Sequence, residues 1–159
     1  PAVSRALGAS FVLQGRAGTR TVAANDFFLG LFETARKPDE ILVAAEVPTI
    51  PAGEKSAFTE LARRHGDYAI IGLAAQGNAD SGTFANMRLA FFGAGDRPIL
   101  AQAANAALEG KAYSDDTVAA AQEALDADLD PMADLNGPPE MKMHLARVIT
   151  ARVLAELAA

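Results

Sequence analysis

Phe58-Thr-Glu-Leu-Ala-Arg-Arg-His-Gly-Asp-Tyr-Ala-Ile-Ile-Gly-Leu-Ala-Ala75 sets a knot of charge, a glycine and a tyrosine between two apolar runs. Residues 56–64 and 69–78 have strand composition, so the stretch from Arg63 to Tyr68 reads as the tight loop that turns the chain back. A third run, 84–92, alternates along Met87-Arg88-Leu89-Ala90-Phe91, and Ala79-Asp80-Ser81-Gly82 joins it to the second as a hairpin loop. Three antiparallel strands with one covered face fit this pattern.

Toward the C-terminus the pattern turns helical. Asp96-Arg97-Pro98 stands before a helix expected over 99–109, which Gly110 ends. Ser114-Asp115-Asp116 caps a second helix running to about Leu125. Pro138-Pro139 opens a third over 140–157, where Leu145, Val148, Ile149, Val153 and Leu157 form one apolar stripe. Strands followed by helices imply an α+β fold, a three-stranded antiparallel sheet packed against three helices.

Toward the N-terminus, residues 1–47 read as the end of an α/β lobe. A strand over 9–14, a Gly15–Gly18 turn and a strand over 19–22 make a hairpin. Asn25-Asp26 offers a cap for a short helix over 27–35, Pro38 stops it, and a strand follows over 40–47. Val47-Pro-Thr-Ile-Pro-Ala-Gly-Glu-Lys55 cannot continue a ladder or a helix, and it divides the chain into units of 1–53 and 54–159.

The 159 residues are 50 % hydrophobic, enough for a core, and no apolar stretch approaches the ~20 residues of a membrane span. No basic, apolar leader opens the chain, so a cytoplasmic location is the expectation. The absence of cysteine excludes disulfides and thiolate-bound zinc or iron–sulfur clusters within these residues. A net charge of −6, with 6 % aromatics and no tryptophan, argues against nucleic acid as a partner.

Chemistry concentrates in the loop. Arg63, Arg64, Asp67 and Tyr68 can present cations, a carboxylate and an aromatic face to an anionic, planar ligand. An ordinary polar hairpin loop is the alternative, and residue types alone leave both open. His65 and His144 have no carboxylates at metal-ligand spacing, so no metal site is expected. No Gly-x-Ser-x-Gly elbow supports hydrolase chemistry, and Gly93-Ala-Gly95 lacks the third glycine of a dinucleotide fingerprint. The aspartates at 115, 116, 126, 128, 130 and 134 read as a solvated face rather than a calcium loop.

The stretch Phe58–Ala75 resembles a signature of the flavin-binding (medium) subunits of the carbon monoxide dehydrogenase and xanthine dehydrogenase family of molybdenum hydroxylases. Asn25-Asp-Phe-Phe-Leu-Gly-Leu31, Lys37-Pro-Asp-Glu-Ile-Leu42, Val47-Pro48, Gly93-Ala-Gly-Asp-Arg-Pro98, the segment 101–110 and His144-Leu-Ala-Arg147 look like the same family, in the same order. The resemblance implies the end of the second FAD-binding lobe followed by the flavoprotein C-terminal domain. It also implies an electron-transferring role, from iron–sulfur clusters through FAD to an external acceptor. The implied partners are a molybdopterin-containing large subunit and an iron–sulfur small subunit.

By the same resemblance the cofactor-binding residues are Leu42, near the flavin ring, and Arg63, Arg64, Asp67 and Tyr68, with Tyr68 covering one ring face; no residue is assigned a catalytic role. The family's two Gly-rich flavin motifs and an Asp that usually lies just ahead of the match to Pro1-Ala-Val do not occur in this sequence. Thr59 stands where xanthine dehydrogenases carry a Lys. These residues alone are therefore expected not to retain FAD, and a stand-alone interaction or dimerisation module without cofactor is the competing reading.

Overall fold

The structure is a computed structural model and describes residues 1–64, 66–79 and 82–159. Among these the helices are α1 (Ala2–Ala6), α2 (Ala24–Phe27), α3 (Gln102–Leu108), α4 (Asp115–Asp128) and α5 (Pro139–Ala158). The strands are β1 (Ser10–Gly15), β2 (Gly18–Ala23), β3 (Phe28–Gly30), β4 (Glu33–Thr34), β5 (Ile41–Glu46), β6 (Glu54–Leu61), β7 (Ile71–Asn78), β8 (Ala85–Phe92) and β9 (Ile99–Leu100).

The three strands expected around the charged loop form one antiparallel sheet, and β9 adds a short fourth at its edge, in the order β6-β7-β8-β9. The β6–β7 ladder is unbroken from Glu54 opposite Asn78 to Leu61 opposite Ile71. Ile71, Leu73 and Ala75 of β7 join Met87, Leu89 and Phe91 of β8 in the main core, beneath Ile149, Val153, Leu154 and Leu157 of α5. Helices α3 and α5 lie on the sheet, and α4 packs against both. The opposite sheet face is also covered: Ala74 and Ala90 meet Ala2 and Ala6 of α1. Small residues on both sides bring the helix close, and two covered faces explain why β7 is buried with little alternation.

Residues 10–46 build a smaller sheet, β2-β1-β5, with a core of Ala9, Phe11, Leu13, Ala24 and Phe27. The helix expected over 27–35 is not there. One helical turn ends at Phe27, and β3 pairs with β4 as a hairpin. Adjacent residues on a helix point about 100° apart, whereas Phe27 and Phe28 both pack on Phe11, with ring centroids at 4.4 and 5.6 Å. Phe32 then takes a left-handed φ of 57°, which no helix continues.

The helix expected from residue 99 begins later, at Gln102, because Ile99 and Leu100 pair with Phe91 and Ala90. Asp96-Arg97-Pro98 therefore does not cap it. The Asp128 carboxylate does, accepting from the amides of Ala103 and Ala104 at 3.0 and 2.9 Å. The other two helices start as expected: Ser114 Oγ accepts from the Thr117 amide at 3.2 Å, and Pro139 occupies the first turn of α5. The proline-rich segment runs without regular structure through residue 53, and Glu54 and Lys55 already belong to β6. Asp80 and Ser81, in the expected 79–82 hairpin loop, lie outside the described residues.

Candidate functional site

The charged loop is closed at its base by a strand hydrogen bond, Ile70 N to Leu61 O at 2.7 Å. Inside it, the Asp67 amide donates to Arg64 O at 3.2 Å. Asp67 Oδ1 accepts from the Tyr68 amide at 3.0 Å, and Oδ2 pairs with Arg64 Nε at 3.3 Å. Asp67 thus uses both carboxylate oxygens to shape the loop. Arg63 leaves it and donates to the carbonyl of Leu135. His65 lies outside the described residues.

What remains free is the Tyr68 side chain, 91 % exposed, at the rim of a cavity of about 740 Å³. Phe58 and Phe92 also line it, stacked at 5.7 Å between centroids with 15° between planes. They lie on the same sheet face, on β6 and β8, and meet because β7 between them carries Gly72, where a Cβ would fall 1.9 Å from the Phe92 ring. Leu31 and Phe32 of the β3–β4 turn, Pro1 and Val3 at α1, and the 93–98 connection complete the walls. Phe32 is fully exposed. An open apolar groove with aromatic walls suits a planar ring, since offset stacking prefers flat faces with few competing hydrogen bonds.

Arg97 stands at the polar end of this cavity; its guanidinium is 3.8 Å from Asp96 and donates to Leu29 O at 2.8 Å. Gly93-Ala-Gly95, read as a strand-to-helix turn, connects two strands, β8 and β9, and its glycines line the same cavity. A larger neighbouring cleft of about 910 Å³ is polar. Its Arg5 donates to the carbonyls of Pro98 and Asn25, both at 2.5 Å.

Of the five residues singled out in the sequence, Tyr68 lines the cavity, and Arg63, Arg64 and Asp67 hold its loop among the described residues. Leu42 is elsewhere: it pairs with Leu13 across the β1–β5 ladder, and it is half-exposed. Sequence reasoning missed Phe58, Phe92 and Phe32; Gly72, opposite Phe92 on β8 and Glu60 on β6, was the available signal. No group of metal-ligating side chains occurs among the described residues.

The residues present suit a flavin ring better than a diphosphate, for among the described residues no Gly-rich turn opens a helix beside the cavity.

Comparison with known proteins gives a flavoprotein family. Residues 56–157 match the CO dehydrogenase flavoprotein C-terminal domain, and residues 1–50 match the FAD binding domain in molybdopterin dehydrogenase. The medium chain of carbon monoxide dehydrogenase from Hydrogenophaga pseudoflava is 34 % identical over 154 residues, which cover 97 % of this chain and 54 % of that one. The xanthine dehydrogenase FAD-binding subunit of Escherichia coli O157:H7 is 33 % identical over 144 residues, covering 89 % of this chain and 49 % of that one. A solved Hydrogenophaga pseudoflava carbon monoxide dehydrogenase, lacking the Mo-pyranopterin moiety of its cofactor, superposes with a TM-score of 0.93 at 38 % identity, over 98 % of this chain and 54 % of that one. The chain thus spans about half the length of these relatives.

Proposed function

Since the chain belongs to the FAD-binding, medium-subunit family of carbon monoxide and xanthine dehydrogenases, we propose that it forms the ring-facing half of such a subunit. In this reading the subunit passes electrons from iron–sulfur clusters through FAD to an external acceptor, beside a molybdopterin-containing large subunit and an iron–sulfur small subunit. FAD supplies the redox chemistry; the residues here position and cover its ring. The observation that carries the reading is the exposed Tyr68 ring over the cavity floored by Phe58 and Phe92. Competition from a cofactor-free interaction module is not favoured, because both matched families are flavoprotein families.

Each residue then has a task. Tyr68 covers one ring face, with offset stacking worth about 0.5–1.5 kcal/mol beyond burial. Arg64 and Asp67 fix the Tyr68 backbone and set the local charge, while Arg63 anchors the loop. Leu42 contacts the flavin from the other sheet, where its side chain is open to a neighbour. The phosphates are gripped by parts of the subunit outside these residues.

The test is Tyr68→Ala in the complete subunit. The flavin absorption bands and reduction potential shift, while the far-ultraviolet circular dichroism and melting temperature stay put. An unchanged spectrum and potential would refute the flavin role of Tyr68.

A further inference from the structure

Tyr68 is exposed, yet the loop that carries it is tied to the protein at a distance. The bonds of Asp67 to Arg64 and to the Tyr68 amide are internal to the loop and cannot place its tip. Arg63 can, because its guanidinium reaches the carbonyl of Leu135, 72 residues away in sequence. Leu135 itself is 92 % exposed, so its carbonyl is an anchor only if the turn beneath it is fixed.

That turn is fixed twice. Asp134 and Gly137 exchange two backbone hydrogen bonds of 3.2 Å each, and Asp134 Oδ1 accepts from the Asn136 amide at 2.8 Å. The turn is then held to the helical layer by Lys142 of α5, which is only 3 % exposed. Its Nζ donates to Met132 O at 2.9 Å and pairs with Asp134 Oδ2 at 2.8 Å. This hydrogen bond from Lys142 holds the Asp134 carboxyl below the ordinary aspartate range. Burying an ammonium costs free energy unless it is paired, and both of its acceptors belong to the segment that Arg63 grips from the other side.

We propose that Lys142 is a positioning residue for Tyr68. Through Met132, Asp134 and the Leu135 carbonyl it sets where Arg63 draws the loop, and so how the tyrosine ring stands over the cavity. This inference rests on the flavin reading of Tyr68 given above. A purely structural Lys142 would stabilise the 131–137 segment and leave the flavin unaffected.

The experiment compares four FAD-loaded forms of the complete subunit: unaltered, Tyr68→Ala, Lys142→Met and the double variant. Met keeps the unbranched stem out to Cε and removes both donated bonds. Lys142→Met shifts the flavin reduction potential and visible spectrum by part of the Tyr68→Ala change, and the double variant reads as Tyr68→Ala alone. If Lys142→Met lowers the melting temperature without moving either flavin signal, while Tyr68→Ala moves them, the proposal is overturned and the flavin reading stands. Full additivity in the double variant overturns it as well. If Tyr68→Ala moves neither signal, the flavin reading falls and takes the proposal with it. Should Lys142→Met fail to fold, Arg63→Gln cuts the same linkage at an exposed side chain. The same pattern is expected, and its absence again overturns the proposal.

Discussion

β5 and β7 are both apolar strands, yet β5 is exposed at all six positions while β7 is buried at seven of eight. In β7 each face has its own cover, α5 on one side and α1 on the other. In β5 one edge pairs with β1, and Ile41, Leu42 and Val43 are 63, 48 and 50 % exposed. Hydrophobicity specifies a strand in both places; burial depends on what packs against it. An apolar strand left open offers a surface for contact.

The largest test of this contrast is a pair of truncations. Leu154→Ala in α5 removes a fully buried side chain and is expected to cost about 2–5 kcal/mol. Leu42→Ala in this chain is expected to stay within about 0.5 kcal/mol. Urea unfolding measures both, and comparable losses would mean that β5 is covered in solution. A subtler effect concerns acid. Glu40 is buried beside Arg20, whose Nε and Nη2 donate at 2.7 and 2.9 Å, and it accepts from the Lys37 amide at 2.7 Å. Arg20 first, then that amide, lower the Glu40 carboxyl from 4.5 to about 2. The folded state therefore binds its proton less readily than the unfolded chain. The stabilisation is complete above pH ~4.5 and drains away as pH falls toward about 2. Glu40→Gln is expected to flatten that part of the acid-stability profile, with the melting temperature followed from pH 6 to about 2; an unchanged slope would show that the Arg20 pair does not form in solution.

How much could be read in advance differed by region in the same way. β6, β7, β8 and α5 were legible because the apolar runs, the alternation along β8, the loop glycines and the paired prolines all agree over long stretches. The helix expected over 27–35 failed because the apolar spacing of Phe27, Phe28, Leu31 and Phe32 imitates a helix, and only contact with Phe11 distinguishes the two. β9 is two residues long and exists through its pairing with β8. The capping role of Asp128 hid in an acidic stretch because the amides it serves lie 24 and 25 residues upstream. At the site, the charged loop was legible from composition, whereas a flavin role for Tyr68 came only from the family resemblance. The cavity was not, since Phe58 and Phe92 meet only once the sheet forms.

The central claim is that these residues offer the flavin a surface for its ring and none for its phosphates. Titrating the chain with FAD and with riboflavin, which has the ring but no phosphate, tests it most directly. The two ligands are expected to bind with the same weak affinity, and the protein to purify colourless. FAD binding tenfold tighter than riboflavin, a difference of about 1.4 kcal/mol, and FMN (riboflavin plus one phosphate) likewise tighter, would place a phosphate contact within residues 1–159 and contradict the account.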